Sequence, residues 1–197
     1  MTLTLFLSMA AFALAASISP GPVNIVALSS GVRFGFRASM HHVTGATFGF
    51  ALLLLLIGLG LHQLLTIWPT FTTFVQWAGV GFLLYMAWTL ATDDGRLGSD
   101  RDTRAPTVFH GAAMQWLNPK AWLASVAGMG AYAASGSPEL VWQFTLLYFL
   151  ICYVSIGCWA YAGAFLSRYL QNEKRMRRFN QVMAVLLAAS AIYLLVG

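Results

Sequence analysis

Apolar residues in this chain come in long blocks that no charge interrupts, and the polar residues gather between them. No charged residue precedes Arg33. Six blocks predict six helices, over residues 3–30, 40–62, 69–91, 108–133, 140–167 and 179–196. A membrane span needs about 20 mainly apolar residues at a rise of about 1.5 Å each, and every block is of that order. The longest polar stretch, "TDDGRLGSDRDTRAPT" at 92–107, divides the chain into 1–91 and 108–197, with three blocks on each side. Three spans per half is an odd number, so homologous halves face opposite ways, as in the inverted repeats of many secondary transporters. The expected fold is all-α and integral to the membrane: six transmembrane helices as two inverted three-helix repeats joined by a cytoplasmic linker. The first block, "MTLTLFLSMAAFALAAS", ends like a signal peptide. It lacks a basic leading segment and its apolar pattern runs on past Ser17, so it reads as the first transmembrane helix.

Two blocks break their own pattern. Helix 1 contains Ser19-Pro20-Gly21-Pro22, and helix 4 contains Asn118-Pro119. Ser19 and Asn118 suit an N-cap, and Pro20 and Pro119 suit the first helical position. Each break then opens a new half-helix whose first N–H groups lack partners and whose dipole end carries roughly half a positive charge. Inverted repeats bring two such ends toward the centre from opposite sides. Lys120, in the first turn after Pro119, adds a full charge. A site of this kind takes a small carboxylate, and irregular backbone at membrane depth is tolerated where it lines a cavity or is buried by protein. The plainer alternative is that each proline only kinks its helix.

Composition agrees with a membrane location. The chain is 59% hydrophobic and 9% charged, with a mean hydropathy of +0.72, where a soluble domain carries roughly a quarter charged residues. The net charge of +5 points to lipid orientation rather than to nucleic acid, because the basic residues sit between blocks. Arg33 and Arg37 follow helix 1, Arg96, Arg101 and Arg104 follow helix 3, and Arg168, Lys174, Arg175, Arg177 and Arg178 follow helix 5, ten in all (2 + 3 + 5). The alternate loops hold no Lys or Arg, so the positive-inside rule places both termini outside. The acidic residues lie at block edges and in the linker, and a site for a cation or metal normally offers a buried carboxylate. Export of a cation, either a basic amino acid or a metal ion, stays as the alternative, since aromatic faces and carbonyls also bind ammonium groups. No Ser-His, paired-Asp or His-Glu-x-x-His arrangement supports an intramembrane enzyme, and no cofactor or metal motif is present in the sequence.

The segments "SPGPVN" at 19–24, "GVRFGFRASMHHVTGATFGF" at 31–50, "GLGL" at 58–61, "WAGVGFLLYMAW" at 77–88 and "WLNPKAW" at 116–122 together resemble the LysE/RhtB family of bacterial amino-acid exporters. The resemblance implies a six-helix inner-membrane exporter of amino acids or their derivatives, coupled to the proton gradient. Its partners are then a small amino-acid substrate, protons and membrane lipid, with room for a homo-oligomer. It assigns substrate contact to Pro20, Gly21, Pro22 and Asn24, and to Asn118, Pro119 and Lys120. With Ser19 added as the expected cap, these are the candidate binding residues, and the scarcity of acids in the blocks favours neutral substrates.

Lesser features have plainer readings. Gly45 and Gly49 form a small-xxx-small pair suited to close helix packing. His41 and His42 fall at the inner end of helix 2, about 100° apart on the helix, so they are no chelate, though either could handle a proton. His62 and His110 lie at other block edges. Trp116 and Trp122 flank the second break as candidate cavity walls. Trp68, Trp142 and Tyr169 fit interfacial belts. Cys152 and Cys158 read as packing residues rather than a disulfide.

Overall fold

The computed structural model describes residues 2–61, 69–93, 105–133 and 137–196. His62, Trp68, Arg96, Arg101, Arg104 and most of the linker lie outside these residues. Among them the chain forms seven α-helices. They are α1 Leu3–Ile18, α2 Pro22–Leu56, α3 Pro69–Ala91, α4 Val108–Trp116, α5 Pro119–Tyr132, α6 Pro138–Leu166 and α7 Glu173–Val196. A π-helical turn, Ile57–Leu61, extends α2, and α7 starts six residues before its apolar block, through the basic run.

The expected loop between helices 1 and 2 is almost absent. Helical backbone runs from Pro22 to Leu56, interrupted only at Gly35, with φ 78° and ψ 171°. That region is open essentially to glycine alone. The chain folds back there: Ser39 Oγ donates to Ser30 Oγ at 2.8 Å, and His42 Nε2 lies 3.2 Å from the Val23 carbonyl oxygen. Nineteen residues of straight helix would separate Val23 and His42 by roughly 28 Å. α2 is therefore two antiparallel arms, 22–34 and 36–56. One glycine turn replaces the loop because the flanking residues keep helical geometry up to it on both sides.

α6 packs against both arms of α2 and against α1, α4 packs on α2, and α3 packs on α7. The second arm of α2 approaches α4 closely. A Cβ at Gly45 would lie 1.8 Å from the Val108 carbonyl oxygen, and one at Gly49 would lie 2.8 Å from Ala112 Cα. The two glycines thus set the distance between these helices.

Many large apolar side chains lie on the outside of the bundle. On α6, Leu146, Leu150 and Val154 are more than half exposed, while Phe144, Tyr148 and Cys152, on the other face, are buried. Meanwhile Ser39, His42, Thr47 and Ser125 are wholly buried. Apolar residues outward with polar residues gathered inward is the pattern expected when lipid is the solvent. Pro22–Gly60 and Pro138–Tyr169 include stretches long and apolar enough to cross a bilayer, with mean hydropathies of 2.1 and 1.8, and Leu3–Ile18 and Trp77–Ala91 are shorter apolar helices.

Candidate site at the two helix breaks

Proline cannot donate to a helix ladder, and the chain around each break must find other partners for its freed carbonyls. At the first break they are found one by one. Ser19 Oγ donates to the Ala16 carbonyl at 3.2 Å. Asn24 Nδ2 donates to the carbonyls of Ser17, at 2.8 Å, and Ser19, at 2.9 Å. Trp159 Nε1, from α6, donates to the Ile18 carbonyl at 3.0 Å. Lys120 Nζ donates to the Ser19 carbonyl at 3.1 Å and to Ser19 Oγ at 2.7 Å.

The last of these joins the two breaks. Residues 101 apart in sequence meet, with Lys120 of the second break bound to the C-terminal end of α1. Ser19 is consequently the C-cap of α1, not the N-cap expected for the following helix. That N-cap is Gly21, in extended backbone, with Pro22 rather than Pro20 at the first helical position. The shift follows from Ser19 spending its hydroxyl on α1 and on Lys120. Glycine has no side-chain acceptor, so no side chain caps the N-terminus of α2.

The second break is built differently. Leu117 ends α4, Asn118 caps α5, and Pro119 takes the first helical position. Asn118 Oδ1 accepts from the Lys120 N–H at 3.2 Å, and its carbonyl accepts from the Ala121 N–H at 2.8 Å. Of the two positive helix ends, α5's is self-capped and α2's has no side-chain cap. Trp116 and Trp122, expected as cavity walls, are instead spent on backbone: Trp116 Nε1 donates to the Gly49 carbonyl at 3.1 Å, and Trp122 Nε1 to the Trp116 carbonyl at 2.8 Å.

Between the breaks lies a cavity of about 40 Å³, walled by Gly21, Asn24, Asn118 and Lys120 with Gln115 and Tyr148. Since one water needs about 10–15 Å³ on this measure, it holds about three or four waters. Gln115, Tyr148, Cys152 and Trp159 went unnoticed as site residues in the sequence. Cys152 is on the cavity wall, and it and Cys158 are free thiols.

The histidines separate. His41 is exposed, with Nδ1 3.1 Å from the Ala38 carbonyl oxygen. His42 is fully buried beneath the first turn of α2, and its ring lies 6.2 Å from that of His110. His110 lines a second, larger cavity at the other end of the first arm of α2.

A helical bundle with apolar residues outward and two interrupted helices meeting at a polar centre has the build of a membrane transport protein. A family model for LysE type translocators matches residues 14–197. Proteins named cysteine/O-acetylserine efflux protein, from Escherichia coli strain K12 and Shigella sonnei strain Ss046, are 30% identical over 195 residues, covering 98% of this chain and 98% of their own. One of the same name from Escherichia coli O6:H1 strain CFT073 is 29% identical over 194 residues with the same coverage. No solved structure matches the chain. The chain belongs to the LysE type translocator family. It is accordingly a helical membrane transporter and not an enzyme.

Proposed function

We propose that the protein exports a small neutral amino acid, or a derivative of one, across the bacterial inner membrane in exchange for protons. The observation that carries this reading is the bond from Lys120 Nζ to Ser19 beside the N-terminus of α2, which no side chain caps. The Lys120 ammonium occupies a place that a substrate ammonium fits, on a carbonyl at the negative end of α1. An arriving zwitterion takes over the Ser19 carbonyl with its own ammonium. Lys120 is then freed to turn to the carboxylate, which the N–H groups and dipole of α2 also favour. Discontinuous helices separate charges in this way, with anionic substrate groups at a half-helix N-terminus and cations on unwound carbonyls.

Substrate size and charge follow from the wall. Lys120 is its charged side chain among the described residues, which disfavours a second positive charge on the substrate. The relatives' names, with cysteine and O-acetylserine, fit a compact neutral side chain. Transport proceeds by alternating access: the repeats, 1–91 and 108–197, rock about the breaks while 92–107 links them in the cytoplasm. The pairing of α3 with α7 supports this, since it joins third span to sixth. Both termini lie outside.

Efflux from proteoliposomes tests the reading. Lys120→Ala, present at wild-type level in the membrane, is expected to lose at least about tenfold in rate, the scale of one charge-assisted bond. Lys120→Arg is expected to keep part of it. Carboxylates lacking the α-amino group are expected not to be carried. Full export by Lys120→Ala would remove the lysine from the site.

A further inference from the structure

We propose that His42 and His110 form the proton-binding pair of this transporter, passing protons between the central site and a vestibule lined by Arg33. The proposal rests on the proton-coupled export argued above and names the groups that carry the coupling.

Four observations bring the pair forward. His42 is fully buried, and its Nε2 lies 3.2 Å from the carbonyl oxygen of Val23, in the first turn of the half-helix that walls the central cavity. A ring nitrogen bonds a carbonyl oxygen only as an N–H, so neutral His42 carries its hydrogen on Nε2 and leaves Nδ1 as the basic nitrogen. That Nδ1 is buried without a hydrogen-bond partner, and so is Nδ1 of His110. The two rings lie 6.2 Å apart, centre to centre, a gap that a single bridging water spans.

The pair also lies between two cavities: His110 lines one of them, and His42, which lines neither, is bonded to Val23 on the wall of the other. Val23, on the first arm of α2, lines the central cavity, and Val26, Ser30 and Arg33, farther along the same arm, line a vestibule of about 430 Å³ with His110. His42 therefore touches the arm at its central end, while His110 faces the vestibule from α4. Other titratable groups on the packed elements include Arg33, Arg37 and His41 on α2, Tyr85 on α3, Tyr148, Cys152 and Tyr153 on α6, and Lys120 on α5 across the cavity. Asp93, paired with Arg33, supplies a carboxylate on the vestibule side.

The proton step balances without another reactant. A proton reaching Nδ1 of His42 makes an imidazolium that still donates Nε2–H to Val23, and with more strength because the donor is now charged. Passing the proton from His42 to Nδ1 of His110, and from His110 to water in the vestibule, returns His42 to the neutral form and loosens that bond. Each proton thus alters the hold on the first turn of α2, where the substrate carboxylate is read. This gives coupling a mechanical link to the site. His41, one residue away but exposed, has no such link.

The test uses the full-length protein in proteoliposomes with a radiolabelled small neutral amino acid. Substrate-for-substrate exchange without a pH gradient and uptake driven by a pH gradient are measured on the same preparations. His42→Gln keeps a donor for Val23 and cannot carry a proton; His110→Gln removes the second carrier from a half-buried position. Both are expected to retain exchange and to lose gradient-driven accumulation, while His41→Gln keeps both. Gradient-driven accumulation at wild-type level in His42→Gln or His110→Gln would overturn the pair, as would equal loss of exchange and accumulation, which marks a structural role. If the wild type performs exchange but ignores the gradient, the pair is likewise overturned while the site reading stands. A wild type that exchanges no amino acid overturns the export reading itself. Should His42→Gln fail to reach the membrane, His110→Gln alone decides.

Discussion

The carbonyls of Ala16, Ser17, Ile18 and Ser19 end α1, and each accepts a bond from a side chain: Ser19, Asn24, Trp159, and Asn24 with Lys120. Asn24 is the buried hinge of this arrangement, with one amide nitrogen serving two carbonyls. Lys120 covers the Ser19 carbonyl as well, so Asn24→Leu strands the Ser17 carbonyl alone. A stranded buried acceptor costs about 1–3 kcal/mol, and thermal unfolding of Asn24→Leu in detergent is expected to shift down accordingly. An unchanged midpoint would mean that another group serves Ser17. The residues that show themselves in the sequence here do so for a local reason. Proline and a capping amide mark a backbone interruption wherever they occur, and a lysine within an apolar block is conspicuous. Trp159 and Gln115 sit in apolar or mixed runs and reach the breaks only through tertiary packing, so no neighbouring residue announces them.

At the scale of elements, the distances between helices depend on where side chains are missing. Gly45 and Gly49 let the second arm of α2 lie directly on α4, and Gly111 returns the contact, since a Cβ there would meet the His42 carbonyl oxygen at 2.3 Å. Gly45→Ala therefore forces α2 and α4 apart, beneath the His42–His110 pair, with the destabilisation of about 1–3 kcal/mol typical of overpacking. Gly81→Ala is the matched control: it lies in α3, where an added Cβ meets no atom within 4 Å. Helix propensity makes it neutral or stabilising by up to about 1 kcal/mol. Melting curves of the two variants are expected to move apart, and equal shifts would refute the close contact. The positions of helices were readable because lipid-facing blocks need length and apolarity, which composition shows directly. The Gly35 turn was not, because "RFGFR" has the look of a connecting loop. Its helical geometry up to one glycine is fixed by the antiparallel bonds from Ser39 and His42, which join residues 9 and 19 apart.

Across the whole molecule, the two ends of the bundle differ in the residues they gather. Arg33 pairs with Asp93, and Asn180 Nδ2 donates to Asp93 at 3.1 Å, so the Gly35 turn, the end of α3 and the start of α7 share one end. Thr107 and Arg33 line the same vestibule there. From that end α4 and α5 lead away to Tyr132, whose hydroxyl meets Ser8 Oγ of α1 at 2.9 Å. The start of α1 is thus at the opposite end from the basic residues flanking these junctions. The sequence grouped those residues by alternate loops; the structure shows three of the junctions converging in space. In the proposed orientation, with the basic end in the cytoplasm, Thr2 is expected outside and Gln171, in the exposed segment between α6 and α7, inside. Thr2→Cys and Gln171→Cys, each in a chain carrying Cys152→Ala and Cys158→Ala, report this directly. A membrane-impermeant thiol reagent added to intact cells is expected to label the first and to reach the second only after permeabilisation. The reverse pattern would invert the molecule and make the Arg33 vestibule an outward-facing chamber, so that the protein would release substrate where we have it take substrate up.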